Sequence, residues 1–391
     1  MTPRERFKAT IRFKRPDLTP WLESFYDETL LHWFKQGLSA DKVTVIEWAI
    51  GRQGTMLANW PTVKGFDPYT YFGCQSFYGC LAPVDVGPIP RFKQRMAGGT
   101  DRYIDLITET GAVVRRLRSG DTVWYSMPMF LEFPVKDRKT WQEYKKRLDP
   151  RDPRRYAKDW EKETYIEAFE RYQSGPTVMR FNGLYGFGAE LMGIPAFNLM
   201  FYKDPELVHE IADHWEYFTI EVIRNAVETL KDRIDMVYWW EDMATRHGPC
   251  ISPKLFQEFL FPRYRRVINF LKKNKIDRIM MDSDGYVTPI LDLAVQAGIT
   301  GIWPLEVNSN MDALQIRKEY GDKLFLLGNL DKRELAKGGA AMKKEVDRKI
   351  PQLTEMGGYI PSADHLIHTE FTLETFREYT RYIKQVLGYE L

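Results

Sequence analysis

Two apolar runs, Ile276-Asp-Arg-Ile-Met-Met-Asp282 and Ile299-Thr-Gly-Ile-Trp-Pro-Leu-Glu306, carry the decisive pattern. Each ends in a carboxylate, and a polar turn and a longer amphipathic segment lie between them. Short apolar runs bounded by turn residues read as buried strands, and the longer amphipathic stretch reads as a helix. The same rhythm extends outward, to Pro176-Thr-Val-Met-Arg-Phe-Asn182 and Ile234-Asp-Met-Val-Tyr-Trp-Trp-Glu241 before it. After it come Lys323-Leu-Phe-Leu-Leu-Gly-Asn329 and Gly357-Gly-Tyr-Ile-Pro-Ser362. Six β/α units in a row imply a parallel sheet, because right-handed crossovers build one. A doubly wound sheet and a (β/α)8 TIM barrel both accommodate these spacings. The strand ends favour the barrel: Asn182, Glu241 with Asp242, Asp282 with Asp284, Glu306, Asn329 with Asp331, and Asp364 with His365. In a barrel all of these converge on one mouth. The expected architecture is α/β, a (β/α)8 TIM barrel with an N-terminal extension.

The chain of 391 residues divides at this level into an extension, residues 1–90, and a barrel domain, residues 91–391. Within the extension, Leu18-Thr-Pro-Trp-Leu-Glu23 is a candidate barrel strand, and the Gly- and aromatic-rich run from Trp48 to Tyr78 reads as loop. The turn residues Arg118-Ser-Gly-Asp121 sit between two β-rich segments and predict a hairpin. Lys136 to Gln173 is densely charged and reads as a solvated helical face or lid. Lys plus Arg number 56 against 54 Asp plus Glu, with the positives dispersed, which argues against a nucleic-acid partner. No stretch approaches the ~18 apolar residues of a membrane span, nor the apolar core of a signal peptide. Three cysteines, Cys74, Cys80 and Cys250, are too few for a disulfide framework and point to a reducing, cytoplasmic setting. Aromatic residues reach 14%, the one unusual quantity. The sequence does not fix the oligomeric state, a homodimer included.

Several acidic strand ends and a histidine around one pocket form a negative cavity that a cation or shared protons must neutralise. Oxygen and imidazole donors without thiolate suit zinc among other divalent metals, and helix N-caps are the plainer explanation of each carboxylate taken alone. Asp282-Ser-Asp-Gly-Tyr286 is not a calcium loop, since it runs on into Val287-Thr-Pro-Ile-Leu291 without the later donors. The Gly-rich Asn182–Gly188 stretch matches neither dinucleotide nor P-loop spacing and reads as a tight active-site loop. His247 and Cys250 lie in a loop leading to a helix capped at Ser252 with Pro253 at its first position. Arg180, a charge within an apolar strand, would point into the barrel or its mouth and pair with a carboxylate of protein or substrate.

Beyond these features, the chain resembles the uroporphyrinogen decarboxylase superfamily, and within it the corrinoid-dependent methyltransferases. The resemblance rests on Thr2-Pro-Arg-Glu-Arg-Phe7, Met281-Asp-Ser-Asp-Gly-Tyr-Val-Thr-Pro-Ile-Leu-Asp292, Gly328-Asn-Leu-Asp331 and Gly357-Gly-Tyr-Ile-Pro-Ser-Ala-Asp-His365, and covers nearly the whole chain. Decarboxylases proper carry an Arg-Gln-Ala-Gly-Arg-like motif where this chain reads Trp21-Leu-Glu-Ser-Phe-Tyr26, which weighs against porphyrinogen binding. Thiol-methylating members carry His-x-Cys-Gly where Asp282-Ser-Asp-Gly285 stands, and a later Cys where His365 stands. By position, the metal ligands that the resemblance implies are Asp282, Asp284 and His365, with Glu306 or Glu241 as a further candidate.

The resemblance then implies a demethylating member that moves a methyl group from a small donor to cobalt(I) of a separate corrinoid protein. A methoxylated aromatic donor fits the aromatic abundance, because a methoxybenzene needs a flat apolar slot. The chain itself lacks an Asp-x-His-x-x-Gly cobalt-ligating element, so the corrinoid arrives on the partner. Trp239, Trp240 and Tyr286 are the expected slot, with Arg180 and Asn182 also binding substrate. Glu241, Asp282 and His365 are the expected catalytic groups, acting on the ether oxygen directly or through zinc. The alternatives are a uroporphyrinogen decarboxylase-like decarboxylase, a methyltransferase for another small donor, or a non-catalytic accessory of the corrinoid protein.

Overall fold

The computed structural model describes residues 1–39, 66, 68–75, 80–81, 84–119, 122–123, 128–163 and 175–390. The run read as loop from Trp48 to Tyr78 lies largely outside these residues, as do the turn at Gly120-Asp121 and the end of the charged stretch. In chain order the strands are β1 (Cys80–Leu81), β2 (Arg95–Gly99), β3 (Tyr103–Ile107), β4 (Val113–Ser119), β5 (Thr122–Val123) and β6 (Met129–Glu132). They continue with β7 (Thr177–Asn182), β8 (Met236–Trp240), β9 (Ala244–Thr245), β10 (Gly248–Pro249), β11 (Ile279–Asp282), β12 (Gly301–Trp303), β13 (Phe325–Leu330) and β14 (Tyr359–Ala363).

Each of the six expected apolar runs contains a strand. With β1 they form one parallel sheet in the order β1-β7-β8-β11-β12-β13-β14. Helices separate consecutive strands, the longest being Pro205–Leu230 between β7 and β8. The Leu18–Glu23 candidate also takes part. The Leu22 N–H donates to Pro361 O at 3.2 Å beside β14, while Gln75 N–H donates to Trp21 O at 2.9 Å on the other side.

Side chains leave the sheet on two sides, as the two-residue strand period requires. Leu22, Val178, Met236, Tyr238, Met280, Trp303, Phe325, Leu327 and Ile360 form one buried cluster. Phe7, from the N-terminal helix Pro3–Thr10, and Ile11, which caps that helix, join it; the helix start is fixed by a Thr2–Glu5 capping box. The alternate positions Met179, Phe181, Val237, Trp239, Ile279, Met281, Ile302 and Leu326 pack against the helices in a larger cluster.

Residues 95–132 form a separate antiparallel sheet between β1 and β7, in the order β2-β3-β4-β5 with β6 also pairing with β4. The expected hairpin is the β4–β5 pair, Arg118 opposite Val123. The charged stretch contains the helix Arg138–Lys145, begun at Asp137 and packed inward through Trp141 and Tyr144. Ser252 accepts from Leu255 N–H at the N-terminus formed with Pro253, as expected. No described helix is long and apolar enough to cross a membrane.

Candidate active site

The polar groups at the carboxyl ends of β8, β11, β12 and β14 meet around His365. Its Nε2 lies 3.3 Å from Asp284 Oδ2, and its Nδ1 faces the Tyr26 hydroxyl at 3.4 Å. The imidazole is flanked by roughly parallel rings, Tyr26 at 5.8 Å and Trp303 at 6.5 Å between centroids. Burial would lower the His365 pKa, but the hydrogen bond and charge of Asp284, with Glu306 behind it, outweigh that and raise it above the ordinary value. His365 is therefore disposed to carry a proton, and its side chain stays 19% exposed at the mouth.

Three carboxyl groups crowd this pair. Asp242 accepts from Asp284 N–H at 3.2 Å. Burial, then the charges of Asp284 and Glu306, push its pKa up to about 7, with His365 opposing. Asp242 has a positive φ of 45°, so the chain bends sharply as it leaves β8. Asp282 is buried and takes a hydrogen bond from the Tyr238 hydroxyl; burial, with Asp242 and Asp284 nearby, holds its pKa well above the carboxylate range. Glu306 accepts from Ser309 Oγ at 2.7 Å and lies 3.5 Å from Lys332 Nζ.

Asp364 ties the rim together. Its carboxylate accepts from Val307 N–H at 2.8 Å and from Lys332 N–H at 3.0 Å, joining the loops after β12 and β13 to its own. This carboxylate holds loops, and it holds them next to His365.

The residues expected at the mouth separate along strand parity. Arg180 sits with its guanidinium carbon 4.9 Å over the Tyr238 ring, partly exposed. Trp240 packs on the same interior cluster as Tyr238. Trp239 does not belong to the slot: one position along the strand, it points to the helices, packed against Phe181, Trp215 and Tyr264. Glu241 shares that side and is fully buried. It accepts from Trp239 Nε1 at 2.8 Å, from Gly186 N–H at 2.8 Å and from the Tyr264 hydroxyl. Burial pushes its pKa to about 8 against the pull of these donors. Its carboxylate anchors the N-terminus of the helix Leu184–Met192 rather than facing the mouth. Tyr286 packs against the helix-side cluster, and Asn182 gives its side-chain amide to Glu190.

Asp282, Asp284, Glu306 and His365 do not form a metal cradle. Among the described residues no three His, Cys, Asp or Glu side chains come close enough to hold an ion. Each donor has another partner: Asp282 the Tyr238 hydroxyl, Asp284 the imidazole, Glu306 Lys332 and Ser309. The sequence reading named Asp242 among the strand ends without giving it a role, and it passed over Tyr26 and Lys332; both of these stand at or just beyond the ends of strand-like runs, the position that had singled out the others.

Fold and mouth together define an α/β protein with a cluster of titratable groups at the carboxyl ends of parallel strands. The uroporphyrinogen decarboxylase family model matches residues 188–386, just over half of the chain, and the protein belongs to that family. A curated uroporphyrinogen decarboxylase from Alcanivorax borkumensis is 22% identical over 173 residues, 42% of this chain and 45% of that protein, so the match spans under half of the relative's length. A solved methyltransferase from Methanosarcina mazei superposes over 99% of both chains with a TM-score of 0.55 at 14% identity, a likeness of fold.

Proposed function

We propose that this family member is a (β/α)8 barrel methyltransferase that takes a methyl group from a methoxylated aromatic compound and delivers it to the corrinoid of a partner protein. The backbone bonds of Leu22 and Gln75 supply the pairing by which eight strands would close into a ring. The observation that carries the chemical reading is the Asp284–His365 pair at the mouth, with the Tyr26 and Trp303 rings beside the imidazole. Aryl ether cleavage leaves a phenolate, and a protonated imidazole beside an aromatic slot is what such a leaving group requires.

The methyl carbon passes to a nucleophile presented from the open side, which cobalt(I) of the partner's corrinoid would supply. The C–O electron pair stays on the aryl oxygen, and His365 gives that oxygen its proton. Asp284 keeps the imidazole charged beforehand and Tyr26 orients it from Nδ1. Asp242 and Asp282, with raised pKa values, limit the negative charge around the departing oxygen. General-acid assistance of this kind contributes ~10²–10⁴-fold.

A decarboxylase reading draws on the family match and the curated relative. It would need cations for several substrate carboxylates, and the described mouth offers Arg180 and Lys332, the latter beside Glu306. One assay distinguishes them: purified enzyme is given a methoxyarene panel with cobalt(I) cobalamin, and separately a porphyrinogen with carbon dioxide detection. Methylcobalamin with the matching phenol is the expected outcome; carbon dioxide release without methyl transfer would install the decarboxylase.

A further inference from the structure

The Gly328-Asn-Leu-Asp331 element lies at the end of β13 with no part in the chemistry proposed above, and the rim segment 304–313 is folded around it. Gly328 has a φ of 103°, and a Cβ there would collide with Pro304 O, so only glycine lets the strand end approach that closely. Asn329 follows in the left-handed region, with a φ of 67°, and is wholly buried. Its backbone N–H donates to Pro304 O at 3.0 Å. Its side chain donates to Leu305 O at 2.6 Å and to Met311 O at 2.8 Å, and accepts from Ala313 N–H at 3.0 Å. Both amide hydrogens and the amide oxygen are thus committed to the two ends of one segment. Between those ends stand Glu306, the turn Val307–Ser309 and Asn310. Leu305 has a positive φ of 61°, a conformation that a bulky residue keeps only where its surroundings impose it.

We infer that Asn329 is a positioning residue: by holding both ends of the segment 304–313, it sets where Glu306 and Trp303 stand beside His365. The segment begins directly after Trp303, whose ring lies 6.5 Å from the imidazole between centroids. Glu306 comes directly after the left-handed Leu305. Loss of the bond to the Leu305 carbonyl would let that residue relax toward an extended backbone and redirect the Glu306 carboxylate, which now lies 3.5 Å from Lys332 Nζ. The outer side of the segment has its own ties, Val307 N–H to Asp364 at 2.8 Å and Arg333 to the Asn308 side chain at 2.7 Å. These hold its middle. Asn329 holds its ends from a buried position, where carbonyls left without a donor would be costly. The part of this role that concerns catalysis rests on the methyl-transfer reading, whereas the hold on the segment does not depend on it.

Two variants test it. Asn329→Gly keeps the left-handed backbone without the amide, and Asn329→Asp keeps the shape and the bond from Ala313 while setting an oxygen against two carbonyls. In both, hydrogen exchange at Val307, Met311 and Ala313 should quicken at least ~10-fold, with Leu326 and Ile360 in the sheet unchanged. Val307 is the telling position, since its N–H bonds to Asp364 and not to Asn329. With a methoxyarene and cobalt(I) cobalamin, kcat should fall ~10–100-fold while KM stays within about threefold. The loss from Glu306→Gln should be smaller in the Asn329→Gly background than in the wild type, because both changes take the same carboxylate away from His365. Unchanged exchange at Val307, an equal quickening across the whole sheet, additive losses, or faster exchange with an unaltered kcat would overturn the assignment. Faster exchange confined to the segment, with no methoxyarene turned over by any form, would keep the hold on the segment and remove the methyl transfer.

Discussion

At the scale of single residues, the proposed chemistry depends on one imidazole and one carboxylate. His365→Ala should lower methyl transfer by ~10²–10⁴-fold while leaving the affinity for substrate within a fewfold. An equal loss in KM and kcat would give the side chain a binding role instead. The pH dependence has a definite sign. His365 must be protonated to act as an acid, and its pKa is raised, so kcat/KM should fall as pH rises through a midpoint above the ordinary imidazole value of 6.5. Asp284→Asn removes the group that raises it, so the midpoint should move down; a pH–rate profile that stays in place would exclude the pair. His365 was legible in the sequence because it directly follows a strand end, as were Asp282 and Asp284. Trp239 and Glu241 were misplaced because strand ends were read without their parity. Trp240 lies on the interior side, so its neighbours at one position either way had to face the helices. Tyr26 contacts His365 across 339 positions of sequence, a pairing that no local pattern announces.

At the scale of elements, buried carboxylates fasten strands to helices. Glu241 does so at β8 with Trp239 and Tyr264, and Glu23 does so at the Leu22 segment. There Trp21 Nε1 donates at 2.8 Å and the Tyr379 hydroxyl at 2.6 Å. Gly183 leaves room for the first of these: a Cβ there would stand 1.8 Å from Glu241 Oε1. Gly183→Ala should therefore cost about 3 kcal/mol in urea unfolding, whereas a cost under about 0.5 kcal/mol would mean that the carboxylate can move aside. Glu23 should add a pH dependence. Its folded pKa is raised to about 7 from an ordinary 4.5, mainly by burial. Its contribution is then fully present at acid pH and lost as pH rises through 7, roughly 3 kcal/mol in all. Unfolding measured at acid and alkaline pH should show that decline, and Glu23→Gln should flatten it; an unchanged slope would remove Glu23 as its source. The six apolar runs were legible because buried parallel strands are nearly continuous apolar stretches with sharp polar ends. β1 and the antiparallel strands β2, β3 and β6 were not, since two-residue pairing and half-exposed faces leave little periodic signal.

At the scale of the molecule, the antiparallel strands within residues 95–132 lie between β1 and β7 in sequence, yet β1 and β7 pair directly, and the parallel β/α sequence resumes at Thr177. Closure into an eight-stranded ring would make the Leu22 and Gln75 amides part of the sheet. Their hydrogen exchange should then be as slow as that of Val237 or Met281; exchange at the rate of exposed loops would leave the sheet open. The central claim is that this scaffold transfers methyl groups, and a single-turnover reaction tests it most directly. Purified enzyme, a methoxybenzoate and cobalt(I) cobalamin should yield methylcobalamin and hydroxybenzoate in equal amounts, with His365→Ala slower by at least two orders of magnitude. No methylcobalamin from any methoxyarene, or a His365→Ala rate equal to the wild type's, would contradict the account.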